Sequence, residues 1–202
     1  MSQHGRIQRH YRRCIQRGGP NFDQLDWASQ DSQHARFDVL ASAVDLRGKS
    51  MLDVGCGLGD LATYLAEHHI DASYTGVDIL DEMLSQARDV HPELDFIQAD
   101  IFGDASPFAP ASFDVVFCSG TLNLDLGNNL EFVQSALPTM LQLARQTLVV
   151  NFLHRRVPPV DAGYFCYDPQ EMIAILQPLA GSVTLIDDYL PGDFTLLATP
   201  PA

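Results

Sequence analysis

The sequence predicts an α/β fold built on a mostly parallel sheet. Three observations predict it. Met51–Asp60, MLDVGCGLGD, reads as a buried strand (Met51 to Val54), a glycine-rich turn and a helix opening at Gly59 or Asp60. Short apolar runs recur at Tyr74–Asp78, Asp95–Gln98, Phe113–Cys118 and Thr147–Phe152, separated by helical patterns. Two further runs, Val183–Asp187 and Phe194–Thr199, flank Leu190-Pro191-Gly192-Asp193 and predict a terminal antiparallel β-hairpin.

In chain order, residues 3–17 carry Ile7, Tyr11, Cys14 and Ile15 on one helical face, and Gly18-Gly19-Pro20 ends that helix. It is expected to cap the carboxyl edge of the sheet. Phe22–Gln30 reads as a loop, with Trp27 as a core or lid anchor. A helix is expected from Ser32 to Val44, capped by Asp31, with Phe37, Leu40, Ala41 and Val44 buried. Gln33 and Arg36 on that helix read most simply as surface residues. After the first strand, Leu61, Ala62, Leu65 and Ala66 form a helix face against the sheet. Helix 81–90 is expected to start on Asp81 as its cap, with Met83, Leu84 and Ala87 facing in.

Gly103–Ala111 reads as a loop, Phe113–Cys118 as a buried parallel strand, and 128–144 as a helix kinked or restarted at Pro138. Leu153–Gly163 is a proline-bearing loop at the same sheet edge. Asp168-Pro169-Gln170-Glu171 then opens a helix, with Asp as cap, Pro at the first position and Glu at the third. The expected organisation is a single domain over 1–202, with 1–30 as cap segment and 31–202 as core.

The glycine turn narrows the chemistry. Gly55, Gly57 and Gly59 can take positive φ and let backbone approach a ligand. A dinucleotide fingerprint from Gly55 needs a glycine at position 60, where this chain has Asp60. A carboxylate there repels a pyrophosphate. No Lys-Ser/Thr pair follows the glycines, so a P-loop is excluded. What remains is an acid-flanked turn for a ligand without phosphates. Asp78, nineteen residues past Gly59 at a strand end, is placed to accept both hydroxyls of a ribose.

LDVGCGLGD at 52–60, YTGVDIL at 74–80, FIQADIF at 96–102 and FDVVFCSG at 113–120 together resemble the class I S-adenosylmethionine-dependent methyltransferases, over roughly residues 30–200. The resemblance implies a Rossmann-like, seven-stranded mixed sheet ending in the antiparallel hairpin. It implies S-adenosyl-L-methionine as cofactor, held by Asp53, Gly55, Cys56, Gly57, Gly59, Asp78, Ile79, Asp100, Ile101 and Ser119. Asp100 would accept from the adenine amino group and Ile101 would hold the ring. The helix carrying Gln33 and Arg36 would border the methionine end.

Catalytic candidates are Ser119, Asn123 and His154, and Tyr11, Tyr164 and Tyr167 are candidates for the acceptor side. Ser119-Gly120-Thr121-Leu122 replaces the Asn/Asp-Pro-Pro-aromatic segment of base amino methylation, which points away from bases. The expected reaction is methyl transfer to a small molecule at oxygen. The rivals are a protein or RNA acceptor recruited by the basic N-terminal arm, and a non-catalytic cofactor-binding or partner-stabilising module.

Charge supports that order. The net charge is −14, yet residues 1–22 hold five arginines and no acid. The remainder holds 7 basic against 26 acidic residues, a body that repels a phosphate backbone. No nucleic acid and no membrane partner is expected. The four cysteines, Cys14, Cys56, Cys118 and Cys166, are scattered without C-x-x-C, which predicts a reduced, cytoplasmic protein with no metal site.

Overall fold

The computed structural model describes residues 3–103, 106–157 and 163–201. Parts of the two loops expected at 103–111 and 153–163 therefore lie outside the described residues. The elements run α1 (Gln3–Arg17), α2 (Asn21–Gln24), α3 (Gln30–Ala43), β1 (Ser50–Val54), α4 (Asp60–Glu67), β2 (Ser73–Asp78), α5 (Asp81–Val90) and β3 (Asp95–Gln98). They continue with β4 (Phe113–Cys118), α6 (Asn129–Leu143), β5 (Ala144–Leu153), α7 (Pro169–Leu176), β6 (Ser182–Ile186) and β7 (Asp193–Thr199).

One seven-stranded sheet has the order β3-β2-β1-β4-β5-β7-β6. Strands β1 to β5 pair in parallel, and β7 runs antiparallel to both β5 and β6. The strand order reverses between β1 and β4, so a crevice opens at their carboxyl ends. Both expectations, the mixed sheet and its terminal hairpin, hold.

Strand alternation divides the core in two. Leu52, Val54, Val116, Cys118, Leu148 and Val150 face α6 and α7. Met51, Val115, Phe117 and Val149 face the side that packs Phe37, Leu61, Leu65 and Leu84. A third, smaller cluster of Leu58, Leu80 and Met83 takes Ile7, Tyr11 and Ile15 of α1 and Leu25 behind α2. A 15-residue helix is marginal alone, so this packing is what holds α1 in place.

Local signals shift several boundaries. Asn21–Gln24 is a short helix inside the expected loop. The cap of α3 is Ser29, not Asp31: its extended backbone lets its hydroxyl accept from Ser32 N–H, and Ser32 returns the bond in a capping box. Asp31 sits in the first turn instead, where the dipole favours it. Asp81 is likewise the first helical residue of α5, with Leu80 in the cap position. Helix α6 runs through Pro138, and β5 follows it directly from Ala144 rather than Thr147. No described helix is long and apolar enough to cross a membrane.

Candidate functional site

The glycine turn sits where the sheet order reverses. Gly55, Gly57 and Gly59 have φ of 73°, 56° and 80°, all in the left-handed region. A Cβ at Gly55 would lie 2.0 Å from Thr121 Oγ1, so the turn from β1 and the segment after β4 meet backbone to side chain. Thr121 Oγ1 completes the seam by donating to Val54 C=O at 3.0 Å.

Asp78, at the end of β2, braces the turn from the other side. Its carboxylate accepts from Gly57 N–H at 3.0 Å and from Leu80 N–H at 2.9 Å. Burial raises its pKa, and the backbone N–H bonds oppose that rise. Asp60 is committed elsewhere. It accepts from Asn21 Nδ2 at 2.6 Å and Gln33 Nε2 at 2.9 Å, tying α2 and α3 to the turn. That acid, standing where a dinucleotide site has glycine, is the one sequence signal of this tie.

These elements enclose a cavity of about 860 Å³. It lies towards the upper end of the roughly 300–1,000 Å³ range of ligand sites. Every residue of the expected cofactor set except Gly59 lines it: Asp53, Gly55, Cys56, Gly57, Asp78, Ile79, Asp100, Ile101 and Ser119. Gly59 instead packs under the turn, where a Cβ would meet the Phe96 ring at 3.2 Å. Asp100 accepts from Phe102 N–H at 2.9 Å and meets His4 Nδ1 of α1 at 3.3 Å. The far end is walled by Trp27, Arg36, Asn123, Tyr164, Pro191 and Asp193.

Asp53 is the most perturbed carboxyl. It is buried on the β1 face that meets Tyr74, whose hydroxyl donates to it at 2.7 Å. Desolvation pushes its pKa up to about 7, and the Asp78 and Asp60 charges add to the rise against the Tyr74 bond. The folded chain thus holds this proton more tightly than the unfolded chain. From about pH 4 to 7 the folded state binds more protons, and its stability falls as pH rises through that window. Asp53→Asn removes the charging cost. Its melting temperature relative to wild type is expected to climb between pH 5 and 7 and to level off above. The gain is up to about 3 kcal/mol, at about 1.4 kcal/mol per pH unit. Thermal melts of both proteins across that range check it, and a gap that stays flat with pH refutes it.

The candidates from sequence divide. Ser119 lines the cavity, and its hydroxyl donates to Asn151 Oδ1 at 3.3 Å. Asn123 is buried, and its Oδ1 accepts from Leu153 N–H at 3.2 Å, joining the segment after β4 to β5. His154 is not among the cavity-lining residues. Its Nδ1 accepts from Arg156 N–H at 3.1 Å, its ring packs on Phe194, and burial lowers its pKa. Tyr11 and Tyr164 line the cavity, both with pKa raised by burial. Tyr167 does not: it is wholly buried in the core and donates to Leu122 C=O at 2.6 Å.

Gln33 and Arg36 are not surface residues. They are 3% and 5% exposed and line the cavity. Arg36 binds Asp193 through Nε at 2.8 Å and Nη2 at 2.6 Å, donates to Ser32 C=O at 2.6 Å, and lies 4.5 Å over the Trp27 ring. Asp193 comes from the start of β7, and no local pattern signals a partner that far along the chain.

Residues 51–141, which hold the glycine turn, Asp78 and Asp100, match the family model described as a methyltransferase domain. Over those residues the chain is similar to methyltransferase domains. Its similarity to curated relatives is partial. It is 42% identical over 94 residues to the phthiotriol/phenolphthiotriol dimycocerosates methyltransferase of Mycobacterium tuberculosis, covering 44% of this chain and 34% of that one. It is 31% identical over 128 residues to an rRNA N(6)-adenosine-methyltransferase of Caenorhabditis elegans, covering 59% and 58%. The chain thus spans between a third and three fifths of the length of these relatives. The methyltransferase fold is shared with the magnesium protoporphyrin IX methyltransferase of Synechocystis with bound SAH. The TM-score is 0.68 at 18% identity, covering 98% of this chain and 100% of that one.

Proposed function

We propose that this protein transfers the methyl group of S-adenosylmethionine to a small-molecule acceptor, at oxygen. The observation that carries the reading is the single cavity joining the glycine turn, Asp78 and Asp100 to a walled far end. The residues present fit the cofactor. Gly55 and Gly57 bring backbone without side chains to the cavity wall, and Asp78 lines it as a half-buried carboxylate at the ribose position. Asp100, Ile79 and Ile101 line the adenine end. Asp53, two residues before Gly55, lines the same cavity.

When bound, S-adenosylmethionine supplies the activated methyl group. The chain supplies alignment and a dry pocket, which can account for much of the acceleration. Ser119, whose hydroxyl proton goes to Asn151, would orient the acceptor through its free oxygen lone pair. Asn123, with its carbonyl oxygen taken by Leu153, shapes the wall.

The basic arm supports a small acceptor over a macromolecule. Helix α1 folds over the cavity, and His4, Ile7 and Tyr11 line it. Arg6, Arg12 and Arg17 bind within the chain, to Leu126 C=O, Glu82 and Asp26. The test is incubation of the purified chain with methyl-labelled cofactor and three acceptor pools: hydroxyl-bearing small molecules, total RNA and protein. Label in the small-molecule pool is the expected result, either alkali-labile as a methyl ester or alkali-stable as a methyl ether, with the methyl located on oxygen by mass spectrometry. Label confined to RNA or protein overturns the acceptor class, and cofactor binding with no transfer to any pool overturns the enzyme reading.

A further inference from the structure

Helix α1 carries a feature that methyl transfer does not use. His10 and Cys14 lie four residues apart on α1, so both side chains leave the same face. Opposite them stands Asp26, a non-glycine residue with φ of 59° in the segment between α2 and α3. His10 Nε2 lies 2.9 Å from Asp26 Oδ2 and 3.8 Å from Cys14 Sγ. All three ligand atoms fall within 4.8 Å of one another. Among the described residues this is the one group of its kind.

The spacing suits a particular ion. Metal–ligand lengths of about 2.0–2.3 Å in a tetrahedron put ligand atoms about 3.3–3.6 Å apart. The His10 edges bracket that value. A thiolate with an imidazole selects zinc-class metals over magnesium or calcium. One thiolate, one carboxylate and one neutral imidazole balance a dication.

The surroundings are prepared as well. Cys14 is 2% exposed, while the His10 and Asp26 side chains are 27% and 28% exposed, so an ion has a route in. The Tyr164 hydroxyl donates to Asp26 and orients its carboxylate. Arg17 Nη2 donates to Cys14 Sγ at 2.9 Å and to Asp26 at 3.3 Å. Arg17 itself is mostly exposed, which leaves its charge in water.

We propose that His10, Cys14 and Asp26 form a binding site for a zinc-class divalent metal. The ion replaces the Cys14 thiol proton, which leaves to solvent, and takes water in its fourth position. It would clip α1 to the segment before α3, two of the walls of the cavity. The sequence pattern suggested no metal because its three ligands follow no C-x-x-C or paired-histidine spacing. The site stands apart from the methyl-transfer reading and can fail without it.

The test is titration of the metal-free full chain with cobalt(II). A thiolate-to-cobalt charge-transfer band that saturates at one equivalent, and that zinc abolishes, is expected. Cys14→Ser should lose the band and Cys166→Ser should keep it. Since Cys14 is buried, His10→Ala provides a second reading: its zinc affinity, from competition with a chromogenic chelator, should fall at least about tenfold. No band in the wild type, a band that survives Cys14→Ser, or unchanged affinity in His10→Ala overturns the site.

Discussion

Asp78→Ala should weaken S-adenosylmethionine binding by about 100-fold or more. The Asp78 carboxylate accepts from Gly57 and Leu80 N–H and lines the cavity. Two ribose hydroxyls donating to a charged acceptor each contribute roughly 1.5–3 kcal/mol. Losing both is a factor of about 10² to 10⁴, at 1.4 kcal/mol per tenfold. Asp78→Asn keeps the shape and one carbonyl acceptor, so its affinity should fall between the two. Isothermal titration of the three proteins reads this directly, with thermal melts beside it to show that the turn is intact. An alanine variant that binds as wild type does would remove Asp78 from the site.

Arg36→Met should lower stability by about 3–5 kcal/mol, because it strands a buried carboxylate at Asp193. For a chain of this size that is a fall of roughly 6–20 °C in melting temperature. Adding Asp193→Asn removes the stranded charge while leaving an oxygen for Asn151 Nδ2, which now lies 3.3 Å from Asp193 Oδ1. The double variant should therefore recover most of the loss. If it melts no higher than Arg36→Met alone, the cost lies in the packing of Arg36 over Trp27 rather than in the ion pair. The two outcomes assign different roles to the same side chain.

What was legible in the sequence follows the range of each interaction. The strands, the hairpin and the acid at Asp78 are written within segments of ten residues or fewer, as periodicity, glycines and strand-end position. Asp53, Gly55, Gly57, Asp100 and Ile101 came with the same local patterns. The ties that close the site are long-range and have no local mark. Asn21 and Gln33 reach Asp60, Trp27 covers Gly120, and Arg36 finds Asp193 across 157 positions. Tyr167 misled for the same reason: its hydroxyl is spent on a core carbonyl that only the fold brings near. Ser29 was overlooked because Asp31 is an equally good cap by type. The capping box with Ser32 decided between them.

The placement of α1 also sets an order of assembly. The helix rests on Leu58, Leu80 and Met83, and its Arg6 reaches the carbonyl of Leu126. It precedes every strand in the chain, yet its docking partners extend more than a hundred residues downstream. Contacts of such sequence separation close late. The helix thus waits for surfaces that lie after it in the chain, and the roof of the cavity goes on after the floor, built from β1, β2 and β4, is in place.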